Sequence, residues 1–281
     1  MRDLGAPKAG IARLFCVVRE LSLLPAGGGG LIRIARSAGL TQATTHRLLQ
    51  SLAAEGLVEQ DAGRRLYRLG AGFFALALQA SHPGELRLLC RPALRRLSAG
   101  LGESVVLFAR SEGDAVCVDR SEGMAATPAP DAAAQPGLRI ALGRDAGPLA
   151  ILAFLPEAER EQLLRARSAA AHDAATDDTA ELRADIDHAR QAGHAERRGH
   201  GNGNGHRSRA GAAAVAVPIV DRGGRAVASL AIDTTADRLG PDRLPMVLDR
   251  LRQEAAAIGP GIAPFDALPL RPVAARPGRP R

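Results

Sequence analysis

Polar and basic side chains between residues 41 and 50 have the types and the spacing that could recognise nucleic acid. On an ideal helix, the face opposite an apolar stripe and the N-terminal end of that face carry Gln42, Ala43, Thr44, His46, Arg47 and Gln50. Glutamine can pair with adenine through two hydrogen bonds, threonine can contact the methyl group of thymine, and arginine can bind guanine or a phosphate. We therefore predict that Gln42, Thr44 and His46 contact base edges.

Two threonines at the start of this helix also have structural explanations. The hydroxyl of Thr41 can accept an N–H group of the first turn and so act as an N-cap. Thr45 falls on the same side as the apolar residues Leu48, Leu49 and Leu52. We expect Thr41 to cap the helix and Thr45 to be packed, and we keep both in the candidate DNA-binding set.

A second basic cluster, Arg64, Arg65 and Arg68, surrounds Tyr67. Arginines on a hairpin beside a DNA-reading helix can reach phosphates or the minor groove. We expect Tyr67 to pack this hairpin against the helices. The candidate DNA-binding set is therefore Thr41, Gln42, Thr44, Thr45, His46, Arg47, Gln50, Arg64, Arg65 and Arg68.

The elements that would position these side chains follow from the hydrophobic periodicity and the turn residues. They are predicted as helices at 11–24, 31–38 and 41–55 and strands at 57–60 and 66–69. A short turn containing Gly39 separates the second and third helices. Three helices followed by a hairpin, with such a turn, are typical of a winged helix-turn-helix.

Positive charge is concentrated in the same part of the chain. Residues 1–80 contain ten Lys or Arg and five Asp or Glu, a net charge of +5, whereas residues 81–263 carry −1 and residues 264–281 carry +3. A basic module on a near-neutral body is the pattern expected of a nucleic-acid-binding protein, although many small basic domains bind nothing.

The remaining chain alternates helical and strand-like segments. Residues 70–80 predict a linker helix, and 85–100 predict a second helix that Pro92 would kink or divide. Further strands are predicted at 104–110, 115–120, 212–220 and 226–232, and further helices at 147–155, 158–167, 181–192 and 241–258. The polar stretch 197–209 is predicted to be a mobile loop.

Two separate parts of the chain resemble one family. Residues 39–49, with Leu52, residues 56–58 and residues 67–70, closely resemble the DNA-binding half of IclR-type regulators. The stretches 146–156, 216–221 and 238–243 resemble the effector domain of the same family. The order and the spacing match over roughly residues 8–260. A winged helix with this C-terminal half is a more specific signal than a winged helix alone.

The resemblance implies an α+β fold and a domain order. It implies a winged helix-turn-helix at 8–70, a linker helix at 71–84 and a GAF-like effector-binding domain with a central antiparallel sheet at 85–260; we expect the Pro/Arg tail, 261–281, to be disordered. The expected function is sequence-specific regulation of transcription, by default repression, through a near-palindromic operator in double-stranded DNA. The resemblance further implies that a small organic effector modulates this binding, that the protein is a homodimer or homotetramer, and that Arg47 contacts phosphate.

The resemblance also places an effector pocket among Leu107, Ala146, Gly147, Pro218, Ala231 and Asp233. Backbone N–H groups at Ala146 and Gly147, at the start of a helix, would suit a carboxylate because of the partial positive charge there. This fits the organic and aromatic acids typical of the family. Asp233 would instead repel an anion and favour an amine or a hydroxyl. Because side chains alternate along a strand, Asp233 lies on the same face as Ala231. This face could be the inner or the outer one.

Other classes of function are less well supported by the sequence. Histidines 188, 194, 200 and 206 recur at a spacing of six, which fits neither one helix nor a zinc finger, so we predict no metal site and no cofactor. We find no nucleophile elbow and no phosphate loop, and we predict that the protein is not an enzyme. An activator remains an alternative. So does a sensor that acts through protein contacts without DNA, although the complete helix start at 41–47 argues against it.

The sequence also bears on the cellular location. No stretch approaches about 18 apolar residues, and the N-terminus lacks the features of a secretory signal, so we expect neither a membrane span nor export. The three cysteines, Cys16, Cys90 and Cys117, are far apart and odd in number, which fits a reduced cytoplasm. Cys117 lies in a predicted strand and is expected to be a small core residue.

Overall fold

The computed structural model describes residues 10–25, 27–61, 63–79, 81–125, 135–170, 178–199 and 211–262. Contacts divide the chain into two compact units, Met1–Gly84 and Glu85–Arg281. The predicted disordered tail lies outside the described residues from position 263 onward.

The first unit contains helices α1 (Gly10–Ser22), α2 (Leu31–Ser37), α3 (Gln42–Ala54) and α4 (Ala71–Gln79) and strands β1 (Gly29–Gly30), β2 (Val58–Asp61) and β3 (Leu66–Leu69). The first three helices and the sheet share a core that includes Val17, Ile34, Leu49, Leu52 and Tyr67. The predicted winged helix-turn-helix arrangement is therefore present.

The connections of this unit depend on glycines. Gly39, between α2 and α3, and Gly56, after α3, have φ angles of 64° and 69°, in the left-handed region that glycine adopts without strain. Between the first two helices, where the sequence predicted no strand, Gly29–Gly30 forms β1, which pairs with β3 through Gly29 and Tyr67. The sheet thus has three strands in the order β1-β3-β2.

The second unit contains helix α5 (Ser81–Leu101) from Glu85 onward and the helices α6 (Ala146–Ala153), α7 (Glu157–Ala170), α8 (Asp178–Ala192) and α9 (Leu244–Ile258). Its strands are β4 (Ser104–Ser111), β5 (Asp114–Ser121), β6 (Arg139–Ala141), β7 (Ala195–Arg198), β8 (Ala212–Val220) and β9 (Ala226–Thr235). They form one antiparallel sheet in the order β6-β5-β4-β9-β8-β7.

Two predictions about this unit were wrong in detail. α5 begins at Ser81, earlier than expected, and Pro92 does not divide it. Residues 195–198 form β7 by pairing with β8, although part of this stretch was assigned to a mobile loop. β7 exists through this pairing, which the residue types of 195–198 alone do not indicate.

The sheet separates two apolar cores. Alternate residues of β4 divide between them: Val105 and Leu107 pack with residues of α5 and α9, whereas Val106 and Phe108 pack with residues of α6. We call the second side, which α6 covers and which contains the expected effector residues Ala146 and Ala231, the effector face. The alternation follows from the period of two along a strand.

Candidate nucleic-acid interface and effector site

One side of α3 is buried and the other is free to contact a partner. Thr45, Leu49 and Leu52 are at most 3% exposed, whereas Gln42, His46, Arg47 and Gln50 are exposed. Thr44 is partly exposed. The exposed side chains lie mainly in the first half of the helix, which is the part that meets base edges in helix-turn-helix docking.

The two threonines at the start of α3 have structural roles. Thr41 Oγ1 accepts a hydrogen bond from the backbone N–H of Thr44 at 3.2 Å, and Thr41 is the N-cap of α3. Thr45 is 0% exposed, and its hydroxyl donates to the carbonyl of Thr41 at 3.0 Å. Thr45 was included in the candidate DNA-binding set, and this inclusion was wrong, because its side chain is enclosed by the core.

The hairpin of β2 and β3 presents the predicted arginines at the surface. Arg64, Arg65 and Arg68 are exposed, and Tyr67 is only 3% exposed and packs in the core, as expected. The turn is held by Asp61, whose Oδ1 accepts N–H groups of Gly63 and Arg64; these bonds, that from Arg64 foremost, lower the pKa of Asp61. Arg65 has a positive φ of 53° at this turn.

Arg68 has a partner within its own sheet. Its guanidinium donates to Glu59 Oε2 at 2.8 Å and 3.0 Å across the β2–β3 ladder. This hydrogen bonding lowers the pKa of Glu59. An exposed pair of this kind contributes little to stability, so Arg68 can still turn toward a phosphate.

The predicted effector residues do not all share one face of the large sheet. Ala231 belongs to the core on the effector face, and Asp233, two residues later on β9, lies on that face too, as strand alternation predicted. Pro218 shares it because it pairs with Ser229, whose hydroxyl donates to the carbonyl of Gly147. Leu107 was placed in the pocket incorrectly: it packs with α5 and α9 on the opposite side.

The first N–H group of α6 has a partner within the chain. Asp145 is 2% exposed, is the N-cap of α6, and accepts the N–H of Ala146 through Oδ1 at 2.8 Å. Ala146 itself is 0% exposed. A Cβ built on Gly147 would lie 2.3 Å from the ring of Phe108, so this glycine permits close packing of helix on sheet. The N–H of Ala146 is thus already hydrogen bonded, and a role of Gly147 in binding an anion stays a prediction.

Two polar residues that the sequence reasoning missed lie on the effector face beside Asp233. Ser104 pairs with Asp233 in the β4–β9 ladder, and Arg120 Nη2 donates to Ser104 Oγ at 3.0 Å. Arg120 is opposite Val106, which belongs to the core of this face. The alternation of side chains along 115–121 does not assign Arg120 to a face. A register irregularity interrupts the β4–β5 pairing at Leu107/Phe108, and it shifts the alternation along β5.

The structure bears on three further expectations. Among the described residues, no group of three or more His, Cys, Asp or Glu side chains could hold a metal ion; His200 and His206 lie outside that part of the chain. Cys117 is 0% exposed and is a core residue, as predicted. Within the described ranges, no helix combines the length and the hydropathy needed to cross a membrane.

Comparisons with known proteins agree with this architecture. The family model of the bacterial transcriptional regulator IclR C-terminal domain matches residues 79–259, and that of the IclR helix-turn-helix domain matches residues 17–62. The probable transcriptional regulator SauR of Cupriavidus necator is 32% identical over 84% of this chain and 91% of its own length. The glycerol operon regulatory protein of Streptomyces griseus is 30% identical over 82% and 87%.

A solved structure supports the fold independently. An IclR homologue from Microbacterium hydrocarbonoxydans, crystallised with 4-hydroxybenzoate, superposes with a TM-score of 0.68 and 21% identity over 89% of this chain and 98% of that one. The family consists of transcriptional regulators, which are not enzymes. The two domain matches and the curated relatives show that this chain belongs to the IclR family of DNA-binding transcriptional regulators.

Proposed function

We propose that this protein is a repressor that binds a near-palindromic operator and whose binding is modulated by a small organic effector. The observation that supports this most directly is the two-sided character of α3. Its buried side fixes the helix in the core, and its exposed side presents Gln42, His46, Arg47 and Gln50 to a partner. These side chains have the hydrogen-bonding groups that read the major groove.

Each exposed side chain has a proposed role. Gln42, Thr44 and His46 contact base edges from the N-terminal half of α3, and Arg47 neutralises a phosphate. Arg64, Arg65 and Arg68 follow the DNA backbone from the hairpin. Thr41 contributes by capping α3, which holds Gln42 and Thr44 in place.

The active form is proposed to be a dimer, or a dimer of dimers. The first unit leaves large apolar side chains exposed: Ile11 at 74% and Phe15 at 53% on α1, and Phe74 at 68% and Leu76 at 58% on α4. Ile11 and Phe15 are four residues apart, so they share one side of α1. Exposed apolar groups of this kind support a protein partner, and a palindromic operator requires a second copy of the chain.

The effector is proposed to bind on the effector face beside Ala231 and Asp233. A structural relative was crystallised with 4-hydroxybenzoate, which supports a small organic acid here. Binding would change operator affinity only if the effector favours one of two arrangements of the dimer.

The experiment that tests this proposal is selection of binding sites from a random DNA library with the full-length protein. We expect one enriched, near-palindromic motif whose half-sites lie about 10 bp apart, or a multiple of that distance. Gln42→Ala should alter the preferred base at one position per half-site, whereas Arg47→Ala should weaken all sites alike. Absence of any enriched motif would contradict the proposal. A reporter carrying the motif at a promoter then tests repression.

A further inference from the structure

One end of the effector face combines a buried cation and an anion, and we call it the polar end, formed by Ser104, Arg120 and Asp233. The side chain of Arg120 is 9% exposed and donates to Ser104 Oγ at 3.0 Å. Ser104 is directly opposite Asp233 in the β4–β9 ladder. Opposite residues of an antiparallel pair have Cα atoms about 4.5–5.5 Å apart, so the guanidinium and the carboxylate flank one serine.

The buried thiol of Cys117 lies near both charges. Burial raises the pKa of Cys117 to about 12; the nearby guanidinium of Arg120 acts to lower it, and the carboxylate of Asp233 acts to raise it. Cys117 belongs to the core on the effector face. Arg120 and Asp233 are therefore both neighbours of Cys117 on this side of the sheet.

The other end of the face is closed by packing. Phe108 lies against the backbone of Gly147, and the hydroxyl of Ser229 donates to the Gly147 carbonyl at 2.8 Å. At the polar end, in contrast, Arg120 and Asp233 are both residues of intermediate exposure. Part of each residue is therefore open to solvent, although Arg120 Nε and Asp233 Oδ2 are buried, so a small molecule that enters at this end would approach both groups.

The two charges together select a class of ligand. A plain carboxylic acid would be attracted by Arg120 and repelled by Asp233, and a plain amine would experience the reverse. A molecule with both an acid and a hydrogen-bond donor can place each group against the complementary charge. In a site this shielded from water, such charge interactions are much stronger than at the surface.

We propose that the polar end recognises a small carboxylic acid that also carries an amino or hydroxyl group, with the carboxylate on Arg120 and the donor group on Asp233. This inference rests on the proposed effector site, and it assigns Arg120 and Asp233 as the residues that determine effector specificity. It narrows the expected class from organic acids in general to hydroxy acids and amino acids.

The test is direct binding of matched compounds to the full-length protein by isothermal titration calorimetry. The sets are lactate against propanoate, 4-hydroxybutanoate and 4-aminobutanoate against butanoate, and 4-hydroxybenzoate and 4-aminobenzoate against benzoate. In at least one set we expect the affinity for the bifunctional acid to exceed that for its plain counterpart by roughly 10-fold or more. This is the gain in affinity expected from one hydrogen bond to a charged group. Equal binding within every set, tighter binding of the plain acids, or no binding by any compound would overturn the proposal.

Two variants separate a role in specificity from a structural role. Asp233→Asn should bind the plain acid more tightly than the wild type does, and this gain would not follow from mere loss of structure. Arg120→Gln should abolish the binding of all the acids tested. Arg120→Lys should retain part of the wild-type affinity for them. Arg110→Gln is the matched control, because Arg110 lies on β4, the strand next to that of Arg120, and pairs with Glu159 at 2.7 Å. If Asp233→Asn weakens binding of plain and bifunctional acids equally, the proposal is wrong.

Operator binding is measured separately with the same preparations. If no compound binds but the protein still selects an operator, this inference fails and the DNA-binding part of the proposed function stands. If the bifunctional acids bind as expected without changing operator affinity, the specificity assignment stands and effector control of DNA binding fails.

Discussion

Glu103 and Arg243 form an ion pair in which the carboxylate is almost completely enclosed. Glu103 Oε1 lies 2.8 Å from Nη1 of Arg243 and 2.8 Å from Nη2 of Arg238, and Glu103 is 1% exposed. Arg243 also donates to the carbonyl of Leu101 at 2.6 Å. The cluster thereby joins the end of α5, the start of β4 and the segment that precedes α9.

Glu103→Gln should lower the free energy of unfolding by about 2–3 kcal/mol, because removing one partner of a buried ion pair leaves the other charges uncompensated. The expected loss of stability is smaller than for a completely buried ion pair, because Arg238 and Arg243 remain partly exposed to water. Urea denaturation measures it. The control is Glu122→Gln, since Glu122 is 74% exposed. Equal destabilisation by the two variants would contradict the role assigned to the cluster.

Gly147→Ala should destabilise the second unit by about 1–3 kcal/mol, the usual cost of overpacking a core. The added methyl group would meet the ring of Phe108 at 2.3 Å. Gly100→Ala is the matched control, because nothing lies within 4 Å of its Cβ and it belongs to helix α5. That change should be neutral or stabilising. A double variant with Phe108→Leu should recover part of the loss at Gly147, and strict additivity would count against direct contact.

Thr41→Ala should cost about 1 kcal/mol of stability in the first unit through loss of the cap on α3. Thr41→Ser keeps the hydroxyl and should restore most of it. Thermal or urea unfolding followed by helical circular dichroism gives both values. A Ser variant as unstable as the Ala variant would show that the hydroxyl is not what stabilises the helix start.

The pair of Arg110 and Glu159 should make stability depend on pH in the acid range. The hydrogen bond from Arg110 lowers the pKa of Glu159 below its ordinary value of 4.5. A depressed folded-state pKa gives stability that is fully present above the unfolded value and is lost as the pH falls through the folded value. Glu159→Gln should therefore be less stable than the wild type at pH 7, and the difference should shrink below about pH 4.5. An unchanged difference down to pH 2 would refute this assignment.

The first unit was predictable from sequence because its signals are local. A cap at Thr41, an apolar stripe in α3 and a turn before Tyr67 depend on residues close together in the chain. The strand at Gly29–Gly30 escaped prediction because it exists only through pairing with a distant segment. Its two glycines have no side chains that could indicate a strand.

The effector face was harder to predict, because the face on which a strand residue lies depends on register. Leu107 was placed on the wrong side of the sheet, and one residue of shift along β4 gives Phe108, which lies on the correct side. The expectation that the backbone N–H of Ala146 would bind an anion failed for another reason. The sequence indicates that a helix begins here, but only the structure shows that the carboxylate of Asp145 already accepts a hydrogen bond from this N–H.

The central claim, that α3 of this protein reads DNA, is tested most directly by titrating the DNA upstream of its own gene at several salt concentrations. The wild type is compared with Arg47→Ala and with Arg250→Ala, which removes the same charge from an exposed position in the second unit. We expect saturable, sequence-selective binding in which Arg47→Ala weakens affinity and reduces the salt slope by about 1, while Arg250→Ala matches the wild type. Weak, sequence-blind binding that is equal in all three proteins would contradict the account.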